Sequence, residues 1–398
     1  MKIIKPIYYE KFNCIADKCD FTCCGNWEIS VDVDTYEKWK TLKILGMDKL
    51  TSYVAPKDEA YIIKLGDDKK CPLLNECGLC QMVLANGEEN ISYTCHTFPR
   101  EKREYNDRTE YGLALGCKSV IELLWENDDF EITIVDNNDA NYEIPEADEE
   151  QIYFELRDFF MEILSDKERN PAVSLKIIFI VLLDIIEQLD ALDFEKYNDD
   201  DSFNDKFREY ERKIIKEVIE KSDIEKIALF IDEQQASEID RFIENNELIL
   251  DIMENYLKKE IYLEYIQKIA DYALDFENDE YSSVKEGKLL DFEKKFTEYN
   301  EKLRMILKEE IYDSLLPAMN DIYCIAMKVE WLAIEYAVIV QWMRLMWLKE
   351  EKLSMDALKS CVAIIFRMTG YQDDDIIEYM QDSFEEPIWD YGYFDLII

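Results

Sequence analysis

The chain has 398 residues, 48% of them apolar, which suits a globular protein with a sizeable core and excludes a disordered one. Its formal net charge is −43, yet residues 1–118 hold 17 Lys and Arg against 19 Asp and Glu, so almost all the excess acid lies beyond them. Such acidity excludes nucleic acid and an anionic membrane as partners and favours a basic, lysine-bearing one. No run approaches the ~20 apolar residues of a membrane span. The start, M-K-I-I-K-P-I-Y-Y, lacks the apolar stretch of a secretory leader. These features predict a cytoplasmic protein, where clustered thiols are more often metal ligands or catalytic groups than disulfides.

Taken in chain order, residues 1–142 read as irregular. They hold four of the eight prolines and seven of the ten glycines. Asp34-T-Y-Glu37 has the form of a capping box and predicts a helix to about Leu45. Tyr61–Leu65 and Phe130–Val135 suit short strands, and Cys117–Trp125 reads as helix. The acidic, Pro145-containing stretch Glu143–Gln151 marks a domain boundary. Beyond it, apolar residues recur at three- and four-residue spacing in Ile152–Leu164, Leu175–Leu192, Phe203–Ile219, Ile239–Tyr272, Leu289–Leu316 and Ile322–Leu348. Pro171, Asn198–Asp201 and Ser282–Gly287 read as loops. The expected fold is mainly α: an irregular cysteine-rich metal-binding domain over 1–142, with short strands and helices, then an acidic all-helical domain over 148–398.

Nine of the eleven cysteines precede residue 118. Cys14, Cys19, Cys23 and Cys24 form one group, Cys71, Cys77 and Cys80 a second, and Cys95 and Cys117 stand apart. Thiols a few residues apart in turns converge readily on one ion, and thiolate-only sites select zinc, copper(I) or iron–sulfur clusters. The adjacent pair Cys23–Cys24 is awkward for a single site, since neighbouring side chains diverge in most backbone conformations: one ligates and one packs, or the two serve two sites. Cys324 and Cys361 lie in apolar helical patterns and read as core residues.

Several chemistries are excluded or weakened. Cys19 and Cys23 have the first spacing of a radical S-adenosylmethionine motif, but Asn26 stands where its third cysteine belongs. No G-x-G pair and no phosphate-binding loop exists, so a Rossmann donor site is missing. The single histidine, His96, excludes multi-histidine metal sites and fits a ligand, an acid/base or a turn cap.

The pattern Pro6-x-Tyr8-Tyr9-x2-Phe12-x-Cys14, Cys19, T-C-C-G-N-W27 and Ile29-x-x-Asp32 resembles flagellin lysine-N-methylases. So do Cys71-P-L-L with G-L-Cys80-Q, Ser92-x-T-Cys95-x-x-F-P-Arg100, and L-x-L-x-Cys117. The first two groups are also similar to the broader putative zinc- or iron-chelating cysteine domain. The motif resemblance covers roughly residues 5–125. Cys77 is an addition to the pattern, and Lys118 stands where the family leads one to expect proline.

The resemblance implies a bacterial cytoplasmic enzyme that methylates lysine ε-amino groups of flagellin. It implies S-adenosylmethionine as donor and a 4Fe–4S iron–sulfur cluster, with zinc the alternative metal. The family-like cysteines, and so the implied metal ligands, are Cys14, Cys19, Cys23, Cys24, Cys71, Cys80, Cys95 and Cys117, more than the four thiolates one cluster takes. Methyl transfer needs the neutral amine of a lysine whose pKa is ordinarily about 10.4. A tyrosine or carboxylate beside an apolar wall serves that need, and Tyr8, Tyr9 and Asp32 are near the cysteines in sequence. Arg100 suits the donor's carboxylate, with a salt bridge in its own turn as the structural alternative. The competing reading is non-enzymatic: a structural-zinc or metal-chelating module carrying an acidic helical adaptor for a basic partner protein.

Overall fold

The computed structural model describes residues 2–136, 151–192, 203–234, 236–316, 321–370, 376–380 and 390–398. Residues 143–150 of the expected boundary, and the expected loop Asn198–Asp201, lie outside the described residues.

A four-stranded sheet runs in the order β5-β6-β1-β7, from β1 (Lys2–Pro6), β5 (Arg100–Glu104), β6 (Arg108–Leu113) and β7 (Ile132–Asp136). β1 and β6 are parallel, and the other pairs are antiparallel. The edge strand β5 reads R-E-K-R-E, and charge along an exposed edge discourages further pairing. A smaller sheet, β2-β4-β3, is built from β2 (Ser30–Val31), β3 (Val54–Lys57) and β4 (Ala60–Ile63). With α1 (Val33–Trp39) it closes a small core around Ile29, Val31, Trp39, Leu50, Ile63 and Met82. The cap of α1 stands two residues before the expected one. The Asp32 carboxylate accepts from the Thr35 N–H at 2.8 Å and the Thr35 hydroxyl at 2.9 Å, making Asp32 the cap. The helix stops at Trp39, whose indole donates to Asn90 O at 2.8 Å.

Three short helices follow: α2 (Gln81–Asn86), α3 (Tyr93–Thr97) and α4 (Lys118–Trp125), the last opening at Cys117 as expected. The helical part is α5 (Gln151–Leu164), α6 (Pro171–Asp190), α7 (Phe203–Lys221), α8 (Ile224–Glu233), α9 (Glu238–Lys258), α10 (Leu263–Asn278), α11 (Glu286–Phe296), α12 (Asn300–Asp313), α13 (Ile322–Glu350), α14 (Met355–Met368) and α15 (Tyr391–Ile397). Pro171 begins α6 rather than sitting in a loop. The first helical position needs no N–H, and Asn170 caps the turn. The expected single helix over 239–272 is two, because Glu260 and Tyr262 take left-handed φ of 54° and 58°. The one expected over 289–316 is likewise divided by a 3-10 turn, Thr297–Tyr299.

α13 is buried around most of its circumference and forms the axis, flanked by α6, α9, α10, α11, α14 and α15. The main core is continuous from Ile4 of the first sheet and Tyr8 in the turn after β1, through Val120 and Leu124 of α4, into this bundle. No described helix is long and apolar enough to cross a membrane.

Buried polar bonds tie sheet to bundle. Arg157 of α5 donates twice to Glu110 of β6, at 2.7 and 2.8 Å, with both side chains withdrawn from water. The Tyr312 hydroxyl lies 3.3 Å from Ile4 O and 3.0 Å from Tyr111 O. Arg157→Met leaves the Glu110 carboxylate buried without its cation. The expected loss is about 3–5 kcal/mol of unfolding free energy, measured by denaturant titration; a change below about 0.5 kcal/mol contradicts the assigned role.

Candidate metal centre

The segment from Phe12 to Trp27 has almost no regular structure, so other parts of the chain hold it. Phe12 and Phe21 bury their rings in the main core. Phe21 packs against Tyr265, with ring centroids 4.5 Å apart, and lies 4.1 Å beneath the Arg367 guanidinium. Arg367, near the end of α14, donates to Thr22 O at 2.7 Å, Phe21 O at 3.1 Å and Gly116 O at 2.6 Å. One guanidinium thus binds the cysteine loop and the start of α4 together, so Cys23 lies near Cys117. Asn26 accepts from the Tyr262 N–H at 3.4 Å.

The loop's other flank meets the small core. Cys71 N donates to Cys24 O at 2.8 Å, and Gly25 bridges to Lys70. A Cβ at Gly25 would stand 2.6 Å from Lys69 O, so only glycine allows this approach. The Asn75 side chain accepts from Cys77 N and Leu79 N, each at 2.9 Å, folding the turn that returns Cys80 to a bridge with Leu74. Cys95 enters from α3, where Ser92 Oγ accepts its N–H at 3.2 Å. Asp32 anchors α3 by accepting from Tyr93 N at 3.0 Å.

These segments enclose two adjoining cavities of about 280 and 390 Å³. All the family-like cysteines except Cys71 line the first, together with Arg367. All except Cys19 and Cys117 line the second, with His96 and Arg100. Cys77 is exposed and lines neither. Away from the cleft, Cys361 is fully buried and Cys324 half-buried on α13. Among the described residues, no three His, Cys, Asp or Glu side chains already meet in a metal-coordinating arrangement. The thiols surround a space instead of a point. As a donor set they fit a thiophilic metal group: sulfur ligands on several sides, room between them, and only one imidazole, exposed at the rim and 3.9 Å from Glu88.

The charge balance is consistent with that fit. Burial pushes Cys71 up to about 12 and Cys117 up to about 11. Cys24 is driven up because it is hydrogen-bonded to Cys23 and withdrawn from water. Cys23 is lowered to about 7 by that same bond and by Arg367. The adjacent thiols therefore face each other and do not diverge, in a turn where Trp27 Nε1 also donates to Cys23 O at 2.6 Å. Without a bound cation, these groups favour one thiolate among neutral thiols; a metal reverses that preference and displaces their protons.

The other sequence candidates are dispersed. Tyr8 is fully buried and donates to Glu309, with burial first and Glu309 second in raising its pKa. Tyr9 is half-buried, its ring 5.5 Å from that of Tyr111. Asp32 serves as cap and anchor, with its carboxyl held below the usual range by those N–H and hydroxyl donors against the opposing effect of burial. Arg100 donates to Phe12 O at 3.1 Å and lies 5.0 Å over the Phe12 ring, facing the second cavity.

Two features escaped the sequence reading. Arg367 sits in an apolar helical run and carries no local motif. A further cavity of about 150 Å³ is lined by Glu101, Glu310, Asp313, Glu335, Lys328 and Trp331, and by Leu115-Gly116 just before Cys117. Burial, then repulsion from Asp313, pushes Glu101 up to about 8 and Glu310 up to about 7. Glu335 accepts from the Thr369 hydroxyl at 2.6 Å. The available signal was acidic residues on the apolar faces of α12 and α13.

In metal-free protein, Cys23 is expected to alkylate fastest near neutral pH, with a midpoint near 7. A lowered thiol pKa means thiolate persists above that midpoint, so Arg367→Ala should move the midpoint upward. Iodoacetamide labelling against pH, read by peptide mass spectrometry, checks both; an unmoved midpoint removes Arg367 from this role.

The chain is similar to three curated proteins at 26% identity over 133 residues, which is 32% of its length. One is the flagellar biosynthetic protein FliU of Salmonella muenchen, of which the match covers 79%. The others are the lysine-N-methylases of Salmonella typhimurium and Salmonella choleraesuis, of which it covers 33%. No family model and no solved structure matches the chain. Over about a third of its length, then, the chain is similar to flagellar lysine-N-methylases, in agreement with its cysteine motifs.

Proposed function

We propose that the chain is a protein lysine N-methyltransferase acting on flagellin or another lysine-bearing protein. Its donor in this reading is S-adenosylmethionine, and its thiols hold an iron–sulfur cluster. The observation that carries the reading is the convergence of eight family-like cysteines, from four separate segments, on one cleft in a chain similar to lysine-N-methylases. A 4Fe–4S cluster takes four thiolates, which the thiols lining the cleft can supply. A bound cluster supplies a sulfur-ligated iron centre whose potential depends on nearby charge and hydrogen bonds.

The protein's own groups fit the remaining needs. Arg100 faces the second cavity and can take the donor's carboxylate through charge-assisted N–H bonds. Arg367 favours negative charge at Cys23. A lysine ammonium must lose a proton before it attacks the sulfonium, and in-line attack then depends on positioning more than on acid catalysis. The acidic surface favours approach of a lysine-bearing protein.

The test is protein purified without oxygen, assayed for iron and sulfide and then given S-adenosylmethionine and flagellin. Methylated lysines by mass spectrometry are expected; none with metal-loaded protein overturns the activity. Arg100→Ala should weaken donor binding roughly tenfold or more, as loss of a charged hydrogen bond does, with iron content unchanged. Equal donor affinity by calorimetry removes Arg100 from that role.

A further inference from the structure

We propose that the eight thiols hold two separate metal centres: Cys14, Cys19, Cys23 and Cys117 one, Cys24, Cys71, Cys80 and Cys95 the other. The inference rests on the metal part of the function above and is independent of methyl transfer.

Packing divides five of the eight thiols first. Cys19 and Cys117 pack against the main core, whereas Cys24, Cys71 and Cys80 belong to the small core. The two cores have no residue in common. Backbone bonds divide them the same way. Arg367 clamps residues 21–22 against Gly116, next to Cys117. Cys24 is paired through its carbonyl with Cys71, whose own carbonyl accepts from Leu74, the bridge partner of Cys80. Proximity follows similar lines. Cys19 lies near Cys14 and Cys23, and Cys117 near Cys19 and Cys23. Cys71 lies near Cys80 and Cys95, and Cys24 near Cys71 and Cys95 as well as Cys23. The sets meet at Cys23, which is hydrogen-bonded to Cys24 and lies near Cys95, and at Cys14, which lines both cavities beside Cys24, Cys80 and Cys95.

Each set has four sulfurs, the complement of one zinc ion or one iron–sulfur cluster, so all eight are used without sharing. The two have different settings. The second set belongs to a core with ten buried apolar residues, a size at which a bound metal adds needed stability. The first lies on the seam between the cores, beside Arg367 and an exposed Cys14. Cys77 is outside both sets and provides the internal control.

The experiment uses the full chain, purified without oxygen and analysed for iron, sulfide and zinc. Cys19→Ser with Cys117→Ser should remove one centre's metal and leave the other. Cys71→Ser with Cys80→Ser should do the converse, and Cys77→Ser should change nothing. Loss of all metal in both double variants, or no loss in one of them, overturns the division. Should the second variant fail to fold, native mass spectrometry of the wild-type protein under stepwise chelation decides. Two discrete metal losses are expected, and a single loss overturns the proposal. Wild-type protein without metal overturns both this division and the cluster assigned above. Two centres in a protein that never methylates flagellin sink the function alone.

Discussion

One guanidinium holds the cleft together. Arg367 comes from α14, deep in the chain, and its N–H groups bind carbonyls on two remote segments, one at 21–22 and one at 116. Carbonyls in an irregular loop have no ladder to join, and a charged donor is the strongest partner they can have. The same group lies over the Phe21 ring and favours negative charge at Cys23. Position, packing and charge at the cysteine loop therefore depend on a residue of the helical bundle. The bundle is a part of the site as well as its scaffold.

Crowding thiols together has an electrostatic consequence. Each one withdrawn from water resists ionisation, and each neighbouring thiolate adds to that resistance. The shifts at Cys71, Cys117 and Cys24 are upward, and burial contributes to all three. Without a cation such a group holds one thiolate, at Cys23, among neutral thiols, and metal uptake displaces the remaining protons.

The bundle interior carries a second polar network that packing alone does not require. Glu309, Glu335, Arg157 and Arg304 are almost wholly buried in it. Their partners are specific: Tyr8 for Glu309, Thr369 for Glu335, Glu110 for Arg157, and the Leu164 and Arg169 carbonyls for Arg304. Groups of this kind contribute little net stability, but each is costly to leave alone, so they fix how sheet and bundle meet. The carboxylate-lined cavity at Glu310 lies on the seam they define.

Residue types and their periodicity determined a good deal. Apolar spacing of three and four identified the helical half, because a helix must present one face to the core. Cysteine grouping picked out six thiols that line the cleft, because neighbouring ligands in turns are a local property, but it also took in Cys77, which lines neither cavity, and left Cys95 and Cys117 to the resemblance. Local pattern could not show where Glu260 and Tyr262 break a helix, nor that Asp32, not Asp34, caps α1. Those outcomes depend on left-handed backbone and on side-chain bonds that compete within one or two residues. Only the tertiary structure brought Arg367 to the cysteine loop, withdrew Tyr8 into the bundle beside Glu309, engaged Asp32 as a cap, and packed Cys19 and Cys117 against one core and Cys24, Cys71 and Cys80 against the other. Each is a contact between segments remote in sequence, or a competition among local bonds, and spacing along a chain does not encode which of many chemically equal partners folding selects.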